Sequence, residues 1–393
     1  MQSADRIRGL RIGLFVSEWG GRFGGNISVG ILADILSKAG ASVTVLTQAK
    51  YTPAEDAEGG IEVLNLENSS RGKGFVQLWR RTLKLLASQD FLIVVGERPR
   101  LVFLLAQLWR PLVFVRLDTI LTCPAGTRFL PNSSTICHRR VGLSCLAVNR
   151  KQGCLRDSSE YRQVLKVMNR RLDMALIRCF KNFAANSSAC LKRHCRGGEV
   201  FYPPCPNPQL RYRLPPSRDI IFVGRVSASK GVLDAIRIFK RSKAAQVLHI
   251  VGDGPELATA ERFAASQGVL DRVVFHGWIS VQDRDKLLDK CAATLMCSKW
   301  DEAFGRIGPE SFALGTPVVA YDVGGVSEWC RSPAGTLVSC GDIEGAAQAV
   351  DRLLLNEAEW SAASEASYKT SERFSKRIYG ERWLKYIEKI LNK

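Results

Sequence analysis

The stretch "DIIFVGRVSASKGVLDAI", Asp219 to Ile236, decides the fold. It opens with a run of β-formers that stops at Gly224 and Arg225. A short polar loop follows, and from Lys230 the pattern turns helical. A strand, a tight loop and a helix in immediate succession are the unit from which parallel sheets are built. The alternation recurs afterwards in "VLHIVGD", "RVVFHGW", "AATLMCS" and "PVVAYD", each separated by a helix-length segment. It also comes earlier, in "RIGLFVS", "SVTVLTQ", "IEVLNL", "FLIVVGE" and "PLVFVRLD". Short apolar runs alternating with helices imply sheets buried on both faces. The fold class is therefore predicted as α/β, with two Rossmann-like doubly wound parallel-sheet domains in tandem and a cleft between them.

Six of the fifteen prolines fall between Pro203 and Pro216, in "PPCPNPQLRYRLPP". Proline fixes φ and cannot donate to a sheet ladder, so residues 204–217 read as an interdomain linker. The first domain then covers 1–203 and the second 218–375. The closing stretch "SKRIYGERWLKYIEKILNK" carries Ile378, Trp383, Tyr386, Ile387 and Ile390 at helical spacing, which predicts a terminal helix over about 376–393.

The chain has 393 residues, 46% hydrophobic and 24% charged, which excludes a disordered or fibrous class. Its N-terminus passes from polar residues directly into a strand-like run, without the apolar stretch of a secretory signal. The most apolar region, Phe91 to Val115, is broken by "GERPR" and by Arg110-Pro111. No segment approaches the roughly 18 apolar residues of a membrane helix. The expected location is cytoplasmic. Twelve cysteines are then expected as reduced thiols. Cys123, Cys137, Cys145 and Cys154 share one polar segment without a C-x2-C pair, so the signal for zinc is weak and no metal is expected.

Net charge is +18, and its location is informative. Residues 1–217 hold 32 Lys and Arg against 15 Asp and Glu, or +17, while residues 218–393 hold 24 against 23, or +1. A basic first half suits a polyanion or an anionic membrane surface, although a merely solvated basic surface accounts for it too. Within it, "RGKGFVQLWRRTLKLLASQ" sets Trp79, Leu83 and Leu86 beside Arg80, Arg81 and Lys84, as in an interfacial helix or one packed on the sheet. Nucleic acid is not the expected partner. The aromatic-basic interleaving of stacking platforms is missing, and the second half is balanced in charge.

Three loops follow strands, where open α/β sheets bind ligands. In "WGGRFGGNISVGILADILSKAG", Gly20, Gly21, Gly24 and Gly25 let backbone approach a ligand, and Asn26 is expected to cap the helix behind. In "FVGRVSASKGVLDAI", Arg225 and Lys230 supply two cations that suit a diphosphate, although a pair of merely solvated cations accounts for them too. In "KWDEAFGRIGPESFALGTPVVAYDVGG", Gly305 and Gly308 free the loop and Pro309 starts a helix. Glu310 falls in its first turn, eight residues after Glu302. Paired carboxylates accept hydrogen bonds from the hydroxyl pairs of sugars and ribose.

At these residues the sequence resembles the retaining glycosyltransferases of the GT-B fold, specifically glycosyltransferase family 4. The matching pieces are "FGGN", "VGRVSASKG", "IVGDGPELATAERFAASQGVLDRVVFHGW", "EAFGRIGPESFALGTPVVAYD" and "VGGVSEW", which include an E-x7-E signature. The resemblance implies that Arg225 and Lys230 grip the diphosphate of a nucleotide-sugar donor (UDP-, GDP- or dTDP-sugar). It implies that Glu302 binds hydroxyls of the transferred sugar, beside the backbone of Phe304 and Gly305, and that Glu310 binds the ribose. Gly24 and Gly25 would lie near the donor phosphates and the acceptor, and the terminal helix would complete the first domain. No cofactor is implied. Family members often carry His-Asp ahead of a Cys-Pro pair; here "VRLDTILTCPAGT" puts Leu117 at the histidine and leaves Asp118 on the sugar or acceptor side.

The expected activity is transfer of a sugar to a saccharide or polyprenyl-linked acceptor in cell-surface polysaccharide assembly, at the inner face of the plasma membrane. Two alternatives stay open at the level of sequence: an enzyme of this fold that consumes a nucleotide sugar without an acceptor, and a basic nucleic-acid-binding protein.

Overall fold

Runs of Ile, Val, Leu and Phe become central strands here because helices cover both faces of each sheet. The computed structural model describes residues 6–16, 24–47, 61–65, 83–96, 101–155, 159–194, 196–205 and 217–393. Contacts divide the chain into two units. One comprises Met1–Thr122, Leu165–Pro204 and Lys376–Lys393; the other comprises Cys123–Val164 and Cys205–Ser375.

The first unit begins with β1 (Arg11–Val16), α1 (Gly24–Lys38), β2 (Ser42–Thr47) and β3 (Ile61–Asn65). After a helical stretch at 83–88 come β4 (Phe91–Val95), α2 (Leu101–Ala106) and β5 (Leu112–Arg116). The chain next forms the small hairpin β6 (Phe129–Leu130) and β7 (Thr135–Ile136), then α3 (Ser144–Gln152) and α4 (Glu160–Leu176). It returns with β8 (Asn182–Ala185), α5 (Ser188–Arg193) and β9 (Glu199–Val200). The sheet order is β3-β2-β1-β4-β5-β8-β9, and its pairings are parallel. Every residue of β4 and β5 is buried.

The second unit runs β10 (Ile220–Val223), α6 (Val232–Arg241), β11 (Leu248–Val251), α7 (Leu257–Ser266), β12 (Val273–Gly277) and α8 (Val281–Lys290). It continues through β13 (Ala293–Met296), α9 (Ile307–Ala313), β14 (Val318–Tyr321), β15 (Gly335–Val338), α10 (Ile343–Leu355) and α11 (Glu357–Ser371). Its strand order, β12-β11-β10-β13-β14-β15, is again parallel and reverses direction between β10 and β13. The expected pair of doubly wound sheets is present.

The terminal helix α12 (Lys376–Leu391) belongs to the first unit. Tyr379, Trp383, Ile387 and Ile390 are buried in the same apolar cluster as Ile12, Leu14 and Ile93. The Trp383 ring stacks on Phe201 with centroids 4.0 Å apart, a large apolar area removed from water at one point.

Other expectations shift. The segment Cys123–Val164, assigned from sequence to the first domain, groups with the second unit. Helix α1 already starts at Gly24, so Asn26 is its third residue and not its cap. Gly20, Gly21, Trp79, Arg80, Arg81 and linker residues 206–216 lie outside the described residues. In the stretch read as an interfacial helix, Leu86 is buried beside Leu92 and Phe103, so it serves the sheet. Among the described residues, no helix is long and apolar enough to cross a membrane.

The entry to the first sheet is tied by Arg11 and Asp90, which start β1 and precede β4. The Arg11 guanidinium donates to both carboxylate oxygens at 2.7 and 3.1 Å, and its backbone N–H adds a third bond at 2.9 Å. The hydrogen bond from Arg11 is the largest influence holding the Asp90 carboxyl at about 2, below the usual 3.8. Because the folded value is depressed, this stabilisation is present above 3.8 and is lost as pH falls toward about 2. Asp90→Asn is therefore expected to lower the urea midpoint at neutral pH, with the gap to wild type closing below pH 3.8. A gap independent of pH would contradict the assignment.

Candidate functional site

Where the strand order reverses, the connections after β10 and β13 lead to opposite sides and leave room between them. The loop after β10 carries Arg225 and Lys230, and the loop after β13 carries Lys299 to Arg306. The two touch: the Lys299 N–H donates to the Ser229 carbonyl at 2.8 Å. Gly231 makes this approach possible. It sits at φ +74°, and a Cβ there would lie 2.0 Å from the Cys297 carbonyl oxygen.

Glu302 is 7% exposed, and its surroundings are asymmetric. Its Oε2 accepts from the Lys230 ammonium at 2.7 Å, the Trp300 indole at 2.6 Å and the Ser298 hydroxyl at 2.9 Å. Its Oε1 takes no hydrogen bond from the described residues. Lys230 also lies over the Trp300 ring, 4.8 Å from the centroid, so the indole holds acid and base together. Three donors fix the carboxylate and offset the cost of its burial, leaving one oxygen for an external donor. Arg225 is exposed and has no ion pair or hydrogen bond with the described residues.

Glu310 occupies the first turn of α9 and is also 7% exposed. Arg306 donates to its Oε1 at 2.9 and 3.1 Å, and Arg284 on α8 reaches its Oε2 at 3.1 Å. Arg284 also bonds Asp285 at 2.7 Å. Burial pushes the Asp285 carboxyl up, with Arg284 opposing. The two glutamates thus have separate cation partners, where the sequence reading left both open.

The loop between them is held from behind. The Trp329 indole donates to the Phe304 carbonyl at 2.6 Å. Gly305 sits at φ +82°, where a Cβ would come 2.3 Å from the Met296 methyl. A buried carboxylate at the start of α6 anchors the rim: Asp234 pairs with Lys299 at 2.8 Å and Arg237 at 2.6 Å, and accepts from the Tyr321 hydroxyl at 3.1 Å. Burial, with nearby Cys297 and Asp234, pushes the Tyr321 phenol far up, so its O–H is retained to donate to Asp234.

The remaining sequence candidates belong to the first unit. Gly24 and Gly25 open α1. The Asp118 carboxylate bonds the buried Arg116 guanidinium and accepts from the Ile120 N–H at 3.1 Å. Leu117, at the family's histidine position, packs partly buried against the core.

Four residues went unnoticed in the sequence: Ser298, Trp300, Arg284 and Arg306. A fifth contact could not be found from spacing at all. Arg128, from the cysteine-bearing segment, pairs with Asp301 at 3.3 Å with both side chains buried. Arg128 holds φ +51°, an uncommon conformation for a non-glycine residue. The ion pair docks that segment directly beside Glu302. Its thiols Cys123, Cys137, Cys145 and Cys154 are half-buried and unbridged. Burial, reinforced by Cys123 and Cys137, pushes Cys154 up. Among the described residues, no three His, Cys, Asp or Glu side chains stand at metal-binding spacing.

Residues 213–377 match the family model described as Glycosyl transferases group 1. The chain is similar to an exopolysaccharide phosphotransferase of Streptomyces coelicolor, 29% identical over 181 residues, covering 45% of this chain and 19% of that protein. It is also similar to the lipopolysaccharide core biosynthesis glycosyltransferase LpsE of Rhizobium meliloti, 29% identical over 152 residues, covering 38% and 44%. The chain therefore spans less than half the length of these curated relatives. Among solved structures it is similar to Anabaena HepE in complex with UDP and glucose, with a TM-score of 0.72 and 18% identity over 97% of this chain and 100% of that one. At that identity the likeness is one of fold, and the fold is the tandem Rossmann-like GT-B arrangement.

Removing one member of a buried ion pair leaves an uncompensated charge, at a cost of about 3–5 kcal/mol. Arg128→Met is expected to destabilise the second unit by that order in urea unfolding, and the double change Arg128→Met/Asp301→Leu to recover most of it. Additive losses in the double variant would show that the pair is not coupled.

Proposed function

We propose that this chain is a retaining glycosyltransferase of the family 4 type. It moves a sugar from a UDP-, GDP- or dTDP-sugar to a saccharide or polyprenyl-linked saccharide during cell-surface polysaccharide assembly, on the cytoplasmic side of the membrane. One observation carries the reading: Glu302, fixed through Oε2 by three donors and open at Oε1, at the strand-order reversal where it pairs with Lys230 from the loop that also carries Arg225.

In this reading, charge builds on the donor diphosphate as the glycosidic bond to it breaks. Arg225 and Lys230 stabilise that charge, Lys230 exchanging its Glu302 contact for the diphosphate while the Trp300 ring keeps the ammonium in place. As the diphosphate takes Lys230, Glu302 offers Oε1 to a hydroxyl of the transferred sugar. Glu310 Oε1 is already taken by two bonds from Arg306, but among the described residues Oε2 carries only the Arg284 contact, so a ribose hydroxyl can join there. Among the described residues we assign no side chain as a covalent nucleophile. We therefore favour attack from the face the leaving group departs, the departing phosphate taking the acceptor proton. The two cations make a metal ion unnecessary. Asp118 serves the sugar or acceptor side, and Leu117 removes the histidine contact of other family members, which leaves the sugar identity open.

The test is turnover of a nucleotide-sugar panel with and without saccharide acceptors. Glu302→Gln, Lys230→Ala and Arg225→Ala are each expected to lower kcat by about 100-fold or more, the scale for losing one preorganised charge-stabilising group. Trp300→Phe, which keeps the ring and removes the N–H, should have an intermediate effect. Activity should survive EDTA, and product should require an acceptor. Wild-type rates in the three charge variants would overturn the site, and acceptor-independent consumption would overturn transfer.

A further inference from the structure

Helix α4 is amphipathic in the reverse sense from a packed helix. Its inward side holds Val167, fully buried, and Asp173, 3% exposed and paired with Arg170 at 3.2 Å. Its outward side holds Tyr161, Leu165, Met168 and Leu172, which are 71%, 41%, 51% and 55% exposed, and Val164 at 37%. Positions four, seven and eleven residues after Tyr161 fall on one line along a helix, so these side chains form a continuous apolar stripe. Exposed apolar side chains scattered singly need no explanation, but a contiguous stripe on a polar-backed helix does.

The charges around the stripe decide its partner. Arg162, Lys166 and Arg171 are exposed on the same helix. Of its two acids, Asp173 faces inward, and Glu160 stands at the first turn 3.5 Å from Arg150. A stripe of apolar residues flanked by cations matches an anionic lipid interface, where side chains enter the headgroup boundary and cations meet lipid phosphates. A second copy of the chain fits worse, because pairing through the stripe sets two cation-flanked faces against each other.

We infer that α4 is the surface by which this protein docks on an anionic membrane, with Leu165, Met168 and Leu172 entering the interface. The inference supplies a surface for the membrane side of the proposed function and is independent of the transfer chemistry.

The test uses the full chain, without nucleotide sugar, sedimented with vesicles of phosphatidylcholine alone or with about one-third phosphatidylglycerol. Wild type is expected to sediment with the anionic vesicles and to be released by salt. Leu165→Ser/Met168→Ser/Leu172→Ser should weaken binding by about ten-fold or more, and Arg162→Ser/Lys166→Ser/Arg171→Ser should abolish the preference for anionic lipid. Met168→Glu, a single exposed change, gives the same reading if the triple variant fails to fold. Absence of wild-type binding, or equal binding by the apolar variants, overturns the inference. So does light scattering that shows a wild-type dimer made monomeric by the same changes, since a second copy would then cover the stripe. Turnover on a soluble acceptor, measured separately, stays at the wild-type level in all these variants.

Discussion

The hydrogen-bonded shell on one oxygen of Glu302 is the constraint from which the candidate site follows. Burying a carboxylate this deeply is costly unless strong donors surround it. Lys230, Trp300 and Ser298 provide them, and they come from two different strand connections. The shell therefore requires β10 and β13 to be neighbours, and only the strand-order reversal makes them so. The glycine contact at Gly231 and the backbone bond from Lys299 to Ser229 are the local conditions for bringing the loops that close.

This arrangement also bears on how the site responds to an anion. Lys230 is engaged by Glu302, whereas Arg225 has no partner among the described residues. In the proposed function, an incoming diphosphate would meet one uncommitted guanidinium and one ammonium that it must share. The energy of the existing ion pair would then be subtracted from binding, and the released carboxylate would become a better acceptor for sugar hydroxyls. In that reading, binding of the anionic and hydroxyl-bearing parts of a donor would be coupled through a single contact. The Arg284–Glu310–Arg306 cluster sits apart from that exchange, with its charges already compensated.

Much of this was legible in the sequence, for identifiable reasons. Strands such as "FLIVVGE" and "DIIFVGR" are buried on both faces, so their composition alone marks them, and the parallel sheets follow from the alternation. Trp383 and its neighbours at helical spacing marked α12 because a large buried aromatic needs a core to enter. What spacing cannot encode is which distant side chains meet. Trp300 reads as one aromatic residue in a loop until Lys230 is seen over its ring. Arg284 lies on a different helix from Glu310, and Arg128 is more than a hundred residues from Asp301. The segment Cys123–Val164 follows β5 in the chain and was placed with it, yet its buried ion pair ties it to the other unit. The stripe on α4 was missed for the opposite reason: its periodicity is that of any packed helix, and only exposure shows which way it faces.

The most direct measurement is a crystal structure of the full chain with an intact or hydrolysed nucleotide sugar bound. The account predicts the diphosphate between Arg225 and Lys230, a sugar hydroxyl at hydrogen-bond distance from Glu302 Oε1, and the ribose beside Glu310. A nucleotide bound elsewhere, or a diphosphate that leaves the Lys230–Glu302 pair untouched, would contradict it.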